Sequence, residues 1–569
     1  MWGSDLIAET IRRLGFRFAA LNPGASYRGL HDSLVNHEGG RIDLLTCLHD
    51  EHAVALAHGW AKVTDAPALA LLHSNVGLLH AAMAIHNAWV DRAPVVVLGA
   101  SGAMDATRRR PWIEWIHTMQ DQAAIVRPYT KWDDQPGSAV AAARSLAEGT
   151  FRAGHAPRGP VYVCMDVAYQ ETDIPDPPPA ETLARLPRMD RPGPSAERVA
   201  EVARLLRAAE RPLLVFGRVS RGLDDWMARI ALVEKLGARV VTDLRSAAAF
   251  PTDHPAHVGA PGFAPDRDQQ AALEAADMIL ALDPIDPATL LAGRPGTAVL
   301  ASLDHGAHRG FVKDSHALPG AIDWIACDPD AMISALAAHC RGGSEAPAPG
   351  GIWSSAMPGG DAGGAEKPPA HGLAADGPFA RMARALEQVR RTMPITLTRL
   401  PLGWWGGLLP FRYPLDYLGR DGGEGLASGP GMAVGAALAL KDGDRLPVAI
   451  LGDGDFVMGA SALWTAANNR LPLLVLVAAN GVYGNDVVHQ RRVAEARGRS
   501  LESIWVGQCL DDPALDIAGI ARGFGALEAV RRDGEAADLE DEIARLAQRA
   551  RAEDGVCVLE ILMPARTPG

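Results

Sequence analysis

Two apolar runs of strand length close on small polar signals a set distance apart. Leu446–Leu451 ends at Gly452-Asp453-Gly454; Leu471–Val477 leads into Asn480-Gly481-Val482-Tyr483-Gly484, with Asn480 27 residues after Asp453. Residues 459–469 between them have the length and composition of a helix, so the stretch predicts a βαβ unit. Both loops of such a unit open at the carboxyl edge of a parallel sheet, where these folds bind ligands. A carboxylate and a carboxamide facing each other there are hard oxygen ligands, and Mg²⁺ takes one or two such groups together with phosphate oxygens. Alone, Gly-Asp-Gly reads as a tight turn and Asn480 as a strand-ending turn residue. The spacing and both flanking runs favour a cation that carries phosphate. The Gly-rich Gly429-Pro-Gly431-Met-Ala-Val-Gly435 is a weak nucleotide-loop signal, because no clear strand feeds into it.

At 569 residues the chain exceeds a single core, and three domains of ordinary size fit its length. With 48% hydrophobic and 22% charged residues it has the composition of a soluble globular protein. A net charge of −13 spread along the chain argues against nucleic-acid binding, and Arg108-Arg109-Arg110 reads as solvated surface. Six cysteines lie far apart without a CxxC and are expected to be reduced and mostly core. The first residues lack a cationic n-region, and no 18-residue apolar run occurs, so neither a membrane span nor a leader is expected and the expected location is cytoplasmic.

Composition breaks divide the chain into a first domain (1–172), a Pro-rich connector (173–194), a central domain (195–340), a Gly/Pro/Ala-rich linker (341–378) and a last domain (379–569). Short apolar runs alternate with helical stretches in each third: Ala68–Leu72, Val95–Leu98 and Val161–Met165, then Leu213–Phe216, Arg239–Val241 and Met278–Leu282, then the βαβ unit above. The predicted fold class is α/β, three domains each with a mainly parallel sheet.

The Gly-Asp-Gly…Asn spacing and the three-part layout resemble the thiamine diphosphate-dependent decarboxylase and acetolactate synthase superfamily, with pyrimidine-binding, central and diphosphate-binding domains in this order. Asn22-Pro-Gly24, Leu72-His73-Ser74 with Gly77 and Asn87-Ala88-Trp89, Ser461–Ala467 and Asn480–Gly484 are similar to the benzoylformate decarboxylases within it. The resemblance implies thiamine diphosphate and Mg²⁺, the metal held by Asp453, Asn480 and the Val482 carbonyl. It implies that Leu426 props the cofactor into a bent V shape, and that Glu424, Gly452, Gly454, Asp455 and Tyr483 complete the cofactor contacts.

The implied activity is non-oxidative decarboxylation of a 2-oxo acid to an aldehyde through a cofactor-bound enamine, with His73 as proton relay and Ser26 as a substrate contact. The family's activating acid is a Glu after His. Here the segment is His49-Asp50-Glu51-His52, and counting back from Gly59-Trp60-Ala61 puts Asp50 in that slot. Aspartate is one methylene shorter, and a misplacement near 1 Å costs on the order of 100-fold in rate. Three outcomes are open: Asp50 acts through a shifted backbone or a bridging water; Glu51 replaces it, although one helical step turns it about 100° away; or activation is weak or absent. An Asp at a helix N-terminus is also what the helix dipole favours. His80 stands where the family usually has Asn.

Ser74, Asn485 and His489 are the substrate-pocket candidates, more polar than a benzoylformate pocket. The central domain lacks the Arg-Phe-Asp-Asp pattern that accompanies FAD, so FAD is not expected. Alternatives are a carboligase of the acetolactate synthase type and a thiamine diphosphate-binding protein with little catalysis. The resemblance implies a homodimer as the minimal active unit, or a homotetramer built from two. Trp404, Trp405, Phe411 and Tyr413 are candidates to cover the site, to line an interface or to be core.

Overall fold

Among the described residues, the apolar runs and their neighbours form sixteen strands in three wholly parallel sheets. The computed structural model describes residues 1–294, 296–304, 322–341, 377–420 and 422–564, so nearly all of the expected 341–378 linker lies outside the described residues. The first sheet contains β1 (Phe18–Leu21), β2 (Asp43–Thr46), β3 (Ala68–Leu71), β4 (Val95–Ser101), β5 (Asp133–Asp134) and β6 (Val161–Asp166), in the order β2-β1-β3-β4-β6-β5. The central sheet contains β7 (Pro212–Phe216), β8 (Arg239–Thr242), β9 (Met278–Leu282), β10 (Thr297–Ala301) and β11 (Asp323–Ile325), in the order β11-β10-β9-β7-β8. The last contains β12 (Ile395–Arg399), β13 (Leu446–Gly452), β14 (Leu473–Ala479), β15 (Glu528–Asp533) and β16 (Val556–Leu562), in the order β12-β13-β14-β16-β15. Helices cover both faces, and most inner strands are buried along nearly their whole length, which is why they read as continuous apolar runs without alternation.

The first and last domains share one core. Helix Asp50–Thr64 lies against helix Ser428–Leu440, a segment built almost wholly of small and apolar residues. The two backbones approach so closely that a Cβ on Gly435 would sit 1.9 Å from the Leu56 carbonyl oxygen, and one on Gly59 would sit 2.0 Å from that of Met432. Only glycine permits this crossing. Ser461 Oγ lies 2.8 Å from His52 Nε2, and Thr465 Oγ1 donates to the Thr46 carbonyl at 2.8 Å across the same junction. The helix expected over 459–469 is found as Ala462–Asn468; a second, Asp453–Gly459, precedes it, and Ser461 between them meets His52.

Trp404 and Phe411 are core residues, packed with Trp226 and Leu244 between the last and central domains; Trp405 is half-buried and Tyr413 exposed. Among the described residues, which include all six cysteines, no disulfide forms, and four of the cysteines are buried. No helix of the described residues is long and apolar enough to cross a membrane.

Candidate active site

The first domain gathers its polar residues where its strand order reverses, between β1 and β3, the place where open α/β sheets bind ligands. β1 runs into Asn22–Ser26, and β3 into His73 and Ser74. Ser26 Oγ lies 3.0 Å from His73 Nδ1 and accepts the Ser74 N–H at 3.1 Å. The Ser74 N–H fills one acceptor position of the Ser26 hydroxyl, which pairs with Nδ1 as donor to the Nε2–H tautomer or as acceptor from Nδ1–H. The ring is clamped: a Cβ on Gly24 would meet its Cβ and Cγ at 2.3 Å, and His117 stands edge-on with centroids 4.9 Å apart. Burial, then the neighbouring His117, push the His73 pKa down, against a smaller opposing pull from Asp50.

Asp50 opens helix Asp50–Thr64 and is buried. Its Oδ2 accepts from Asn22 Nδ2 at 3.2 Å and lies 3.6 Å from His80 Nδ1; its Oδ1 is buried without a hydrogen-bond partner. His80, for which the sequence suggests no role, thus faces the candidate acid, stacked on His49 at 4.9 Å. Asp50, Ser26, His73 and Ser74 are brought together in one cluster.

One helical step carries Glu51 out of that cluster, but it does not face solvent. It turns to the last domain, where burial and then the Asp455 charge raise its pKa to about 7, partly offset by a hydrogen bond with Ser428. His52, the next residue, is held neutral by burial, its pKa lowered to about 4.

In the last domain, β13 and β14 pair with Gly452 opposite Ala478, which sets their two terminal loops side by side. Asp453 is buried; its Oδ1 accepts the Gly454 N–H at 2.9 Å and its Oδ2 the Gly481 N–H at 2.6 Å. Asn480 Oδ1 accepts the Val482 N–H at 3.1 Å. Burial raises the Asp453 pKa, opposed by the N–H groups of Gly481 and Gly454. A divalent cation would reverse that tendency. The donor set fits such an ion: Asp453, Asn480 and the Val482 carbonyl offer hard oxygens, and no heavy atom lies within 4 Å of a Cβ built on Gly452. Among the described residues no group of three His, Cys, Asp or Glu is arranged to hold a metal by itself, so phosphate oxygens would complete the coordination.

Leu426 is partly exposed on the turn before helix Ser428–Leu440. The next residue, Ala427, has φ +82° and gives its N–H to Asp455 Oδ1 at 2.9 Å, while Arg399 Nε meets Asp455 Oδ2 at 2.8 Å. Glu424 pairs with Arg420, and the Tyr483 ring covers Gly454. Asn485 and His489 are exposed on helix Gly484–Ala496, and among the described residues no hydrogen bond or ion pair joins them to the other site residues.

His117 and Arg399 were not legible as site residues. His117 gives no signal, since only the tertiary fold brings it to His73. Arg399 gives a faint one, a charge closing an otherwise uncharged buried strand.

Residues 1–125 match the N-terminal TPP binding domain of the thiamine pyrophosphate enzymes, 199–283 their central domain and 402–561 their C-terminal TPP binding domain. The chain is 27% identical to a benzoylformate decarboxylase of Pseudomonas aeruginosa over 97% of each chain. It is 27% identical to a probable chloroplastic acetolactate synthase of Oryza sativa over 49% of this chain and 41% of that one. The crystal structure of benzoylformate decarboxylase from Polynucleobacter necessarius superposes with a TM-score of 0.78 at 19% identity, over 99% of each chain.

Proposed function

The chain belongs to the thiamine pyrophosphate enzyme family, and from that premise we propose that it catalyses the thiamine diphosphate- and Mg²⁺-dependent, non-oxidative decarboxylation of a 2-oxo acid to an aldehyde. The observation that carries the reading is the Ser26–His73 pair, 3.0 Å apart, in the same cluster as Asp50. When bound, the cofactor supplies the nucleophilic carbon and the electron sink. Asp453, Asn480 and the Val482 carbonyl would hold its metal, and Leu426 would support its bend.

Asp50, with one buried oxygen outside any hydrogen bond, is the group to share a proton with a ring nitrogen of the cofactor. His73 carries the proton to be delivered after CO₂ departs, and Ser26 orients its ring through Nδ1. Ser74 contributes its N–H to Ser26 and so holds the pair in register. The imidazoles of His49, His80 and His117 make this side polar and suit a substrate bearing a polar side chain.

CO₂ release from a panel of 2-oxo acids, with cofactor and Mg²⁺ added or withheld, tests the reading. Release that requires both supports it; cofactor binding without release from any acid overturns it. The half-length match to an acetolactate synthase favours carboligation as the second reading, and acyloin as the dominant product when an aldehyde is added would select it. Sedimentation of the holoenzyme tests the proposed homodimer.

A further inference from the structure

We propose that the cleft between the first and central domains binds a small oxyanion with two negative charges, through Arg92 and Arg218. The cleft has a volume of about 160 Å³ and lies away from the residues described above. It opens where the order of the central sheet reverses, between β7 and β9, the place where a sheet of this kind offers a ligand crevice. Arg218 follows β7 through Gly217, and Asp283 follows β9. Arg92, from the end of helix Ser74–Val90 in the first domain, reaches across to Asp283 with Nη1 to Oδ2 at 2.7 Å.

What these guanidinium groups lack is the main observation. Nε and Nη2 of Arg92 and Nε and Nη1 of Arg218 are buried without hydrogen-bond partners, as are Nε of Arg221 and of Arg245. Among the described residues, six of the eight such guanidinium nitrogens belong to this one cleft. The nearest carboxylate to Arg218 is Asp283, at 3.8 Å, beyond hydrogen-bond reach. Burial, then the charge of Arg92, lower the Arg218 pKa to about 10. A buried donor left unmatched is costly, and a planar guanidinium fork is matched best by carboxylate or phosphate oxygens.

Charge and size narrow the ligand. Seven cationic side chains line the cleft against five carboxylates, a local excess on a chain whose net charge is −13. Drug-sized ligands occupy roughly 300–1,000 Å³, so this space suits a phosphate group or a short dicarboxylate. The inference is independent of the reaction proposed above.

The test is thermal unfolding of the full chain, with thiamine diphosphate and Mg²⁺ saturating so that the phosphate site of the last domain is filled. Inorganic phosphate, malonate and chloride are titrated at matched ionic strength, for the wild type, Arg218→Met and Arg245→Ala. A saturable rise in melting temperature with phosphate or malonate, absent with chloride, is expected, and the stronger of the two names the oxyanion. Arg218→Met should weaken the apparent affinity at least tenfold. Arg245→Ala, at the more exposed rim, keeps the test decisive if Arg218→Met does not fold. An equal response to chloride, or unchanged affinity in the folded variants, overturns the proposal.

Discussion

Arg399 and Asp455 form a buried ion pair, Nε to Oδ2 at 2.8 Å, and the other oxygen of the same carboxylate holds the Ala427 N–H. Strand β12 thereby braces the left-handed turn that presents Leu426. Breaking such a pair from one side leaves an uncompensated buried charge and costs about 3–5 kcal/mol. Arg399→Met is expected to lower unfolding stability by that order in urea titrations and to weaken thiamine diphosphate binding in calorimetry. Arg399→Met combined with Asp455→Asn should recover most of the stability without restoring affinity.

His73→Ala should reduce kcat by about 10²–10⁴, the usual range for a lost general acid, with little change in melting temperature. Ser26→Ala should cost less. Because Ser26 acts through His73, the double variant should be no slower than His73→Ala alone, a coupling that a kinetic double-mutant cycle measures.

Asp50→Ala is expected to lower kcat by about 100-fold or more, the scale set for loss of precise positioning. Glu51→Gln should leave kcat within a few-fold, since its carboxyl faces Ser428 and Asp455. Single-turnover kinetics of the two variants would assign the activating acid to Glu51 if the order came out reversed.

Glu51 and His52 impart opposite pH dependences to the junction between the first and last domains. The Glu51 pKa rises from 4.5 to about 7 on folding, so its stabilisation is complete below 4.5 and is lost as pH climbs towards 7. The His52 pKa falls from 6.5 to about 4, so its contribution is present above 6.5 and is lost as pH falls towards 4. Glu51→Gln should therefore leave an apoprotein whose melting temperature rises with pH across this window. His52→Asn should leave one whose melting temperature falls. Parallel slopes in the two variants would contradict the assignment.

Gly435→Ala places a methyl against the backbone carbonyl of Leu56, where no side chain can give way. A loss of about 1–3 kcal/mol or more is expected, the range for overpacking. Denaturant unfolding measures it, and an unchanged midpoint would show that the two helices separate freely.

What was legible in the sequence is what local pattern encodes. β13 and β14 were visible because strands buried on both faces must be apolar throughout, and Asp453 and Asn480 because both loops leave the same sheet edge. Neither run had the strand's bounds: Leu446–Leu451 extends to Gly452, and Leu471–Val477 shifts to Leu473–Ala479. The reach of Arg399 to Asp455 depends on β12 lying beside β13, and that of His117 to His73 on a fold contact 44 residues along the chain; neither follows from spacing. Asn485 and His489 are exposed on a helix that packs inward through Val487 and Ala494.

The glycine-mediated helix crossing also has a temporal consequence. Helix Asp50–Thr64 is buried on nearly every side, and part of its cover, helix Ser428–Leu440, comes late in the chain. Roughly 380 residues of synthesis separate the two, about 20–75 s at 5–20 residues per second. Throughout that interval the nascent first domain presents Ala55, Leu56 and Gly59 to solvent or to a chaperone, so the yield of folded protein is set by how well an incomplete chain is sheltered.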